Sequence, residues 1–194
     1  LNALAKEAQS HRRLLTAPLE ARGGGNALGE LVERFRAAGL LAWEGERLRF
    51  PDEAARFYVN GGWLEEYVYG LIYGLRATLP QIQDLAHGVR VRRARGVENE
   101  LDVALLAANR LHVVECKTAK MQAGPGDGPG NEALFRLETL RDLLGGLASR
   151  AMLVSYRPMP PAVRTRAADL GIDVVQAEGL ATLEHRLRRW VAPG

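Results

Sequence analysis

Two acids and a lysine stand in apolar surroundings on neighbouring segments. These are Asn99-Glu100-Leu101-Asp102-Val103 and, eleven residues further on, Glu115-Cys116-Lys117. A carboxylate inside an apolar strand is costly unless it is paired or binds a metal. Glu115 and Lys117 are two apart, so on a strand they share a face. The connecting turn falls at Ala108-Asn109 or Asn109-Arg110. Either turn pairs even-numbered with odd-numbered residues, which puts Asp102 on the face of Glu115 and Lys117. Two converging carboxylates make a cradle for a hard divalent cation, Mg²⁺ or Mn²⁺, with the Cys116 backbone carbonyl as a further oxygen donor. Such an ion neutralises phosphate charge and acidifies its bound water. Lys117 beside it can orient that water and stabilise a pentacovalent phosphate. A plain salt bridge from Lys117 would account for one of the acids but not for both.

Other residues are weaker candidates. Arg90, Arg92, Arg93 and Arg95 form a basic run, and Arg90 and Arg92 alternate with Val89 and Val91. Such a row suits a nucleic-acid backbone as well as it suits a solvated face. Lys120 is placed either for a phosphate contact or for solvent. Glu100 shares the face of Asp102, placed either to aid a second metal or to edge the cleft. Glu65 and Glu66 flank an apolar helical stripe, and periodicity does not choose between them. His11, His87, His112 and His185 lack metal-ligand spacing. By parity His112 and Cys116 point away from the acids, into the core. Trp43 and Trp63 are expected to pack rather than stack on bases.

The elements that must hold these residues follow from pattern. A helix is expected over residues 2–15, and another over 27–38 capped by Asn26 and closed by Gly39. A hairpin is expected about Glu44-Gly45-Glu46 and a helix over 52–59. Gly61-Gly62 then breaks the chain, which places a module at 1–60 and a second domain at 61–194. The second begins with a helix from Trp63 to about Leu79. Strands are expected at 89–95, 99–107 and 111–118, then a Gly/Pro loop at 124–130 that could order on substrate. The expected order then is a helix over 131–144, a strand over 151–156, a helix over 160–170, a strand over 172–176 and a helix over 179–190. That order makes an α/β sandwich around a mixed sheet.

Composition sets limits. The chain has 194 residues, 47% hydrophobic and 25% charged, which excludes a disordered or collagen-like polymer. No apolar run is long enough to span a bilayer, so no membrane partner is expected. One cysteine excludes a disulfide framework and fits a reducing cytoplasm. A net charge of +3 is too small to argue for a polyanion partner by itself. Lysine is scarce, 3 against 23 arginines, yet Lys117 and Lys120 stand within four residues of each other.

Asp102 with Glu115-Cys116-Lys117 resembles the PD-(D/E)XK nuclease signature, with Leu101-Asp102 in place of Pro-Asp. A narrower likeness is carried by Gly62-Trp63-Leu64-Glu65, Asn99-Glu100-Leu101-Asp102-Val103, Glu115-Cys116-Lys117-Thr118 and Leu137-Glu138-Thr139-Leu140 with Gly145-Gly146. These resemble the C-terminal nuclease part of CRISPR-associated, CARF-domain nucleases activated by cyclic oligoadenylate, over roughly residues 58–190. The resemblance implies a restriction-endonuclease-like mixed sheet flanked by helices, preceded by a small winged-helix-like module. It implies metal-dependent cleavage of DNA, with single-stranded RNA as a further substrate of several members, by a homodimer. It favours Glu65 as the helix acid and makes Arg136 a candidate phosphate contact. Nothing in 194 residues could house the sensor, and the chain begins at Leu1, so it is expected to be part of a longer protein. Cyclic oligoadenylate would act only through a domain absent from this chain. An activator-independent restriction or junction-resolving nuclease, and a catalytically inactive nucleic-acid-binding adaptor, are the alternatives.

Overall fold

The computed structural model describes residues 1–8, 14–19, 26–92, 96, 98–121 and 129–192. The chain forms two compact units, Leu1–Trp63 and Leu64–Gly194. The first holds helices α1 (Asn2–Glu7) and α2 (Asn26–Ala37), the hairpin β1 (Ala42–Glu44) and β2 (Arg47–Arg49), and α3 (Glu53–Phe57). Its core gathers Ala5, Val32, Leu41, Leu48, Phe50 and Val59. Asp52 caps α3, its carboxylate accepting from the Ala55 amide at 2.8 Å. A π-helical turn, Tyr58–Gly62, follows, with Gly61 at φ 138°.

The helix expected over 2–15 stops at Glu7. Leu14 sits at φ 61°, and Leu15 bridges Arg49 beside β2. The buried Thr16 hydroxyl accepts the Leu48 amide at 3.0 Å, so this segment serves as a partner for β2 rather than as helix. His11 and the turn at 22–25 lie outside the described residues.

The second unit is built on one five-stranded sheet in the order β3-β4-β5-β6-β7. Helix α4 (Trp63–Leu75) leads into β3 (Ile82–Arg92), β4 (Glu98–Ala107) and β5 (Arg110–Lys117), which pair antiparallel. Next come α5 (Pro129–Gly145), β6 (Arg150–Ser155), α6 (Pro161–Asp169), β7 (Ile172–Gln176) and α7 (Leu183–Trp190). β6 runs parallel to β5, and β7 parallel to β6. This is a mixed α/β sheet flanked by helices, as expected.

Alternation sorts the two faces. Val113, Ala151, Leu153 and Ile172 share a core with Leu134, Leu137 and Leu140 of α5 and Val163 and Ala167 of α6. On α4 the buried stripe is Leu64, Val68, Ile72 and Leu75. Tyr67 is exposed, and so is Trp43, expected to pack, whose indole N–H donates to Glu33. α4 ends four residues before the expected Leu79. Leu79 precedes Pro80, which disfavours helix there, and the Thr78 hydroxyl donates to the Leu75 carbonyl.

β3 starts seven residues before the expected Val89. A register irregularity between Ile82 and Asp84 interrupts the alternation that would have revealed it. Gly145 closes α5 in a tight space. A Cβ built there would lie 2.5 Å from the Ser149 Cβ and 3.0 Å from the Leu111 Cβ. Neither atom can move by changing rotamer, so Gly145→Ala should cost about 1–3 kcal/mol. A denaturant midpoint unchanged from the parent would contradict this packing.

Candidate active site

The Ala108-Asn109 turn brings the acids together. Both residues have positive φ, 50° and 59°, which is a type I′ turn and matches the twist of the strands it joins. Of the two turns open on sequence, the structure takes this one. It pairs Ala107 with Arg110 and ends the ladder at Val103 opposite Val114. One residue further on, Asp102 replaces ladder with side chain: its Oδ2 accepts the Cys116 amide at 2.6 Å. The carboxyl group is thereby fixed beside Glu115, and Asp102 is 9% exposed.

Glu115 is 1% exposed and is gripped from two sides. The Lys117 ammonium donates to its Oε1 at 2.5 Å, and the Arg136 guanidinium of α5 donates to the same oxygen. A buried carboxylate with two cationic donors is satisfied, as its burial requires. Glu65, in the first turn of α4, completes the cluster. Burial pushes its carboxyl up to about 8, helped by the negative charges of Asp102, Glu100 and Glu115 and opposed by Lys117. Asp102 is pushed up to about 7, first by burial and then by Glu115, while the Cys116 amide, Lys117 and Arg136 pull the other way. Burial and the crowding of like charges thus favour the protonated forms of Glu65 and Asp102. Glu66 is exposed and lies 4.0 Å from His87, away from this group.

The other expected residues are placed as follows. Cys116 is buried, and burial raises its thiol well above the ordinary value, so it is core. His112 is also buried; its Nδ1 lies 3.0 Å from the Arg110 carbonyl and its ring meets Trp190 edge-on. Lys120 is exposed. Arg90 is exposed opposite Glu100, and Arg92 is ion-paired with Glu98, while Val89 and Val91 pack inward as alternation requires. Arg93 and Arg95, and most of the 124–130 loop, lie outside the described residues.

Arg136 is the residue whose position sequence reasoning missed. It was a candidate for a phosphate, and it reaches a carboxylate instead. The available signal was its spacing from the buried Ala133 and Leu140, three residues before and four after, which sets it on the edge of the core-facing side of the helix.

The donor set suits a hard divalent ion in a limited way. Among the described residues, no group of three or more His, Cys, Asp and Glu is arranged to hold a metal. Two carboxylates with a backbone carbonyl still fit Mg²⁺ or Mn²⁺, which commonly take one or two protein carboxylates and leave other positions to water and phosphate. A cation beside Asp102 and Glu65 would favour the charged forms that burial and like charges disfavour. No helix among the described residues is long and apolar enough to cross a membrane.

The fold is shared with proteins of known structure. A structure of protein VC1899 from Vibrio cholerae matches with a TM-score of 0.87 and 38% identity, over 98% of this chain and 49% of that one. Can2 from Sulfobacillus thermosulfidooxidans, solved with cyclic tetra-adenylate, matches with a TM-score of 0.74 and 28% identity, over 98% of this chain and 50% of that one. The chain thus spans about half the length of each of these proteins. No curated protein matches it. The family described as Card1-like, endonuclease domain, matches residues 52–193, which take in Glu65, Asp102, Glu115, Lys117 and Arg136. The chain belongs to the Card1-like endonuclease domain family.

Proposed function

We propose that this endonuclease domain hydrolyses phosphodiester bonds of DNA and single-stranded RNA with the help of Mg²⁺ or Mn²⁺. It would be the effector half of a CRISPR-linked antiviral nuclease, working as a cytoplasmic homodimer. In that reading cyclic oligoadenylate binds a sensor domain outside this chain, as the cyclic tetra-adenylate carried by the Can2 structure suggests. The observation that carries the proposal is the buried pair Asp102 and Glu115 beside Lys117.

Asp102, Glu115 and the Cys116 carbonyl would hold the ion, which supplies phosphate neutralisation and an acidified water. The chain's own groups do the rest. Lys117, 2.5 Å from Glu115, positions the attacking water and offsets charge developing on the phosphate. Glu65 keeps its proton up to about pH 8 and so adds no negative charge against the incoming backbone at neutral pH. Arg136 holds Glu115 in place from α5. Arg90, Arg92 and Lys120 are offered to the flanking backbone, where their neutralisation of phosphates would make binding salt-dependent.

The test is cleavage of supercoiled plasmid and of a single-stranded oligoribonucleotide by the full chain. Both should need added Mg²⁺ or Mn²⁺ and stop with EDTA. Undiminished cleavage in EDTA would overturn the metal-dependent reading.

A further inference from the structure

The end of the sheet away from the acids carries a cavity of about 460 Å³ with a basic wall. Arg150 opens β6 opposite His112, five residues before Lys117 along β5. At about 3.3 Å per residue Arg150 therefore sits roughly 16 Å from the lysine along the sheet. The cavity lies on the other sheet face. Met152 lines it, while its neighbours Ala151 and Leu153 turn into the core under α5. Arg150, His185, Arg186 and Arg189 surround it, and Asp173 is its one acid.

The charges do not cancel. Asp173 already accepts the Trp190 indole N–H at 2.7 Å, and it lies 3.9 Å from Arg150. Arg150 is oriented by one hydrogen bond, to the Trp190 carbonyl at 2.7 Å, and Arg186 by a long one, to the Val174 carbonyl at 3.4 Å. Each guanidinium has five donors, so both keep most of theirs. The Arg189 side chain has no hydrogen bond or ion pair among the described residues, whereas its neighbour Arg188 is drawn to Glu184 and Thr78. Cations at a helix C-terminus are favourable by themselves. That accounts for Arg188 and Arg189 in the last turn of α7. Arg150 comes from a strand, meets the same helix end through the Trp190 carbonyl and turns toward the same space.

Three guanidinium groups facing one cavity repel one another unless an anion lies between them, and their planar forks match phosphate oxygens. The volume is within the range of small-ligand sites, and the floor of Met152, Val175 and Trp190 is apolar. We propose that this cavity is a second anion site, which binds a phosphate group apart from the cleavage centre. The phosphate could be the terminal monoester of a nucleotide or a diester of a strand running past β6 and β7. The proposal is independent of the reaction assigned to the acids.

The experiment titrates the full chain, in EDTA, with inorganic phosphate, 5′-AMP and a single-stranded oligonucleotide lacking a terminal phosphate, read by calorimetry. Saturable binding of phosphate and 5′-AMP in competition, without the oligonucleotide, assigns a monoester site. Oligonucleotide binding that 5′-AMP does not displace assigns a diester site. In either case Arg186→Gln and Arg189→Gln should each weaken binding about tenfold, the loss of one charge-assisted hydrogen bond. Lys117→Ala should leave binding unchanged. The proposal is overturned if none of the three probes binds. Binding that survives the Arg186→Gln/Arg189→Gln double variant, with its melting temperature at the parent value, overturns it equally.

Discussion

Asp102→Asn should abolish cleavage while leaving the protein better folded without metal. The asparagine side chain keeps an oxygen for the Cys116 amide, now 2.6 Å from Oδ2, so the strand geometry survives. What is lost is the negative charge that would hold the divalent ion. Groups acting as a unit lose nearly everything when one member goes, so turnover should drop by about 10³-fold or more. The stability effect has the opposite sign. The folded-state value of Asp102, about 7, is raised from the ordinary 3.8, so the native state holds that proton more tightly than the unfolded chain. Its contribution is fully present below pH 3.8 and fades as pH rises to about 7. Metal-free parent protein should therefore lose stability across that window, and Asp102→Asn should flatten the loss. At pH 8 in EDTA the variant's melting temperature should exceed the parent's, on the order of 5 °C. A variant that cuts at the parental rate, or melts below the parent at pH 8, would remove Asp102 from the charge cluster.

Lys117→Ala should cost about 10²–10³-fold in turnover, the scale of one preorganised donor aimed at developing charge. Glu115 would keep Arg136 as its partner, so the fold should hold. Lys117→Arg should rescue little. A guanidinium is planar and wider than an ammonium, and the space beside Glu115 is already entered by the Arg136 fork. Single-turnover kinetics with saturating Mn²⁺ separate a chemical defect from weak metal binding. A rate for Lys117→Arg near the parent's would show that charge alone matters at this position.

Much of the second unit was legible because its signals are strong. The segments around β4 and β5 alternate cleanly, and their two-residue turn fixes parity, so Asp102, Glu115 and Lys117 could be brought to one face by counting alone. The ends of α5, β6 and β7 fell close to Gly145, Ser149 and Gly171, where the chain breaks its own pattern. The failures have physical causes as well. The first half of β3 hides its period behind a register irregularity, and residues 14–16, expected to end or follow the first helix, lie against the backbone of β2. Glu65 and Glu66 are equal by periodicity, and only the nearness of Asp102 and Glu100 distinguishes them. The basic cavity was invisible for a simpler reason: Arg150 and α7 are far apart in the chain, and no spacing links a strand start to a helix thirty-five residues away.

The Ala108-Asn109 turn has a kinetic meaning too. A hairpin joined by a two-residue turn is the most local tertiary contact in this sheet, and such contacts form on a scale of about 1–10 μs. Asp102 and Glu115 therefore meet early in folding, before α5 can dock and bring Arg136 to them. For that interval the nascent hairpin carries two like charges with Lys117 as the nearest counter-charge. The turn that gathers the acids thus also gives the folding chain a point of electrostatic friction, which protonation of either acid or a divalent cation relieves.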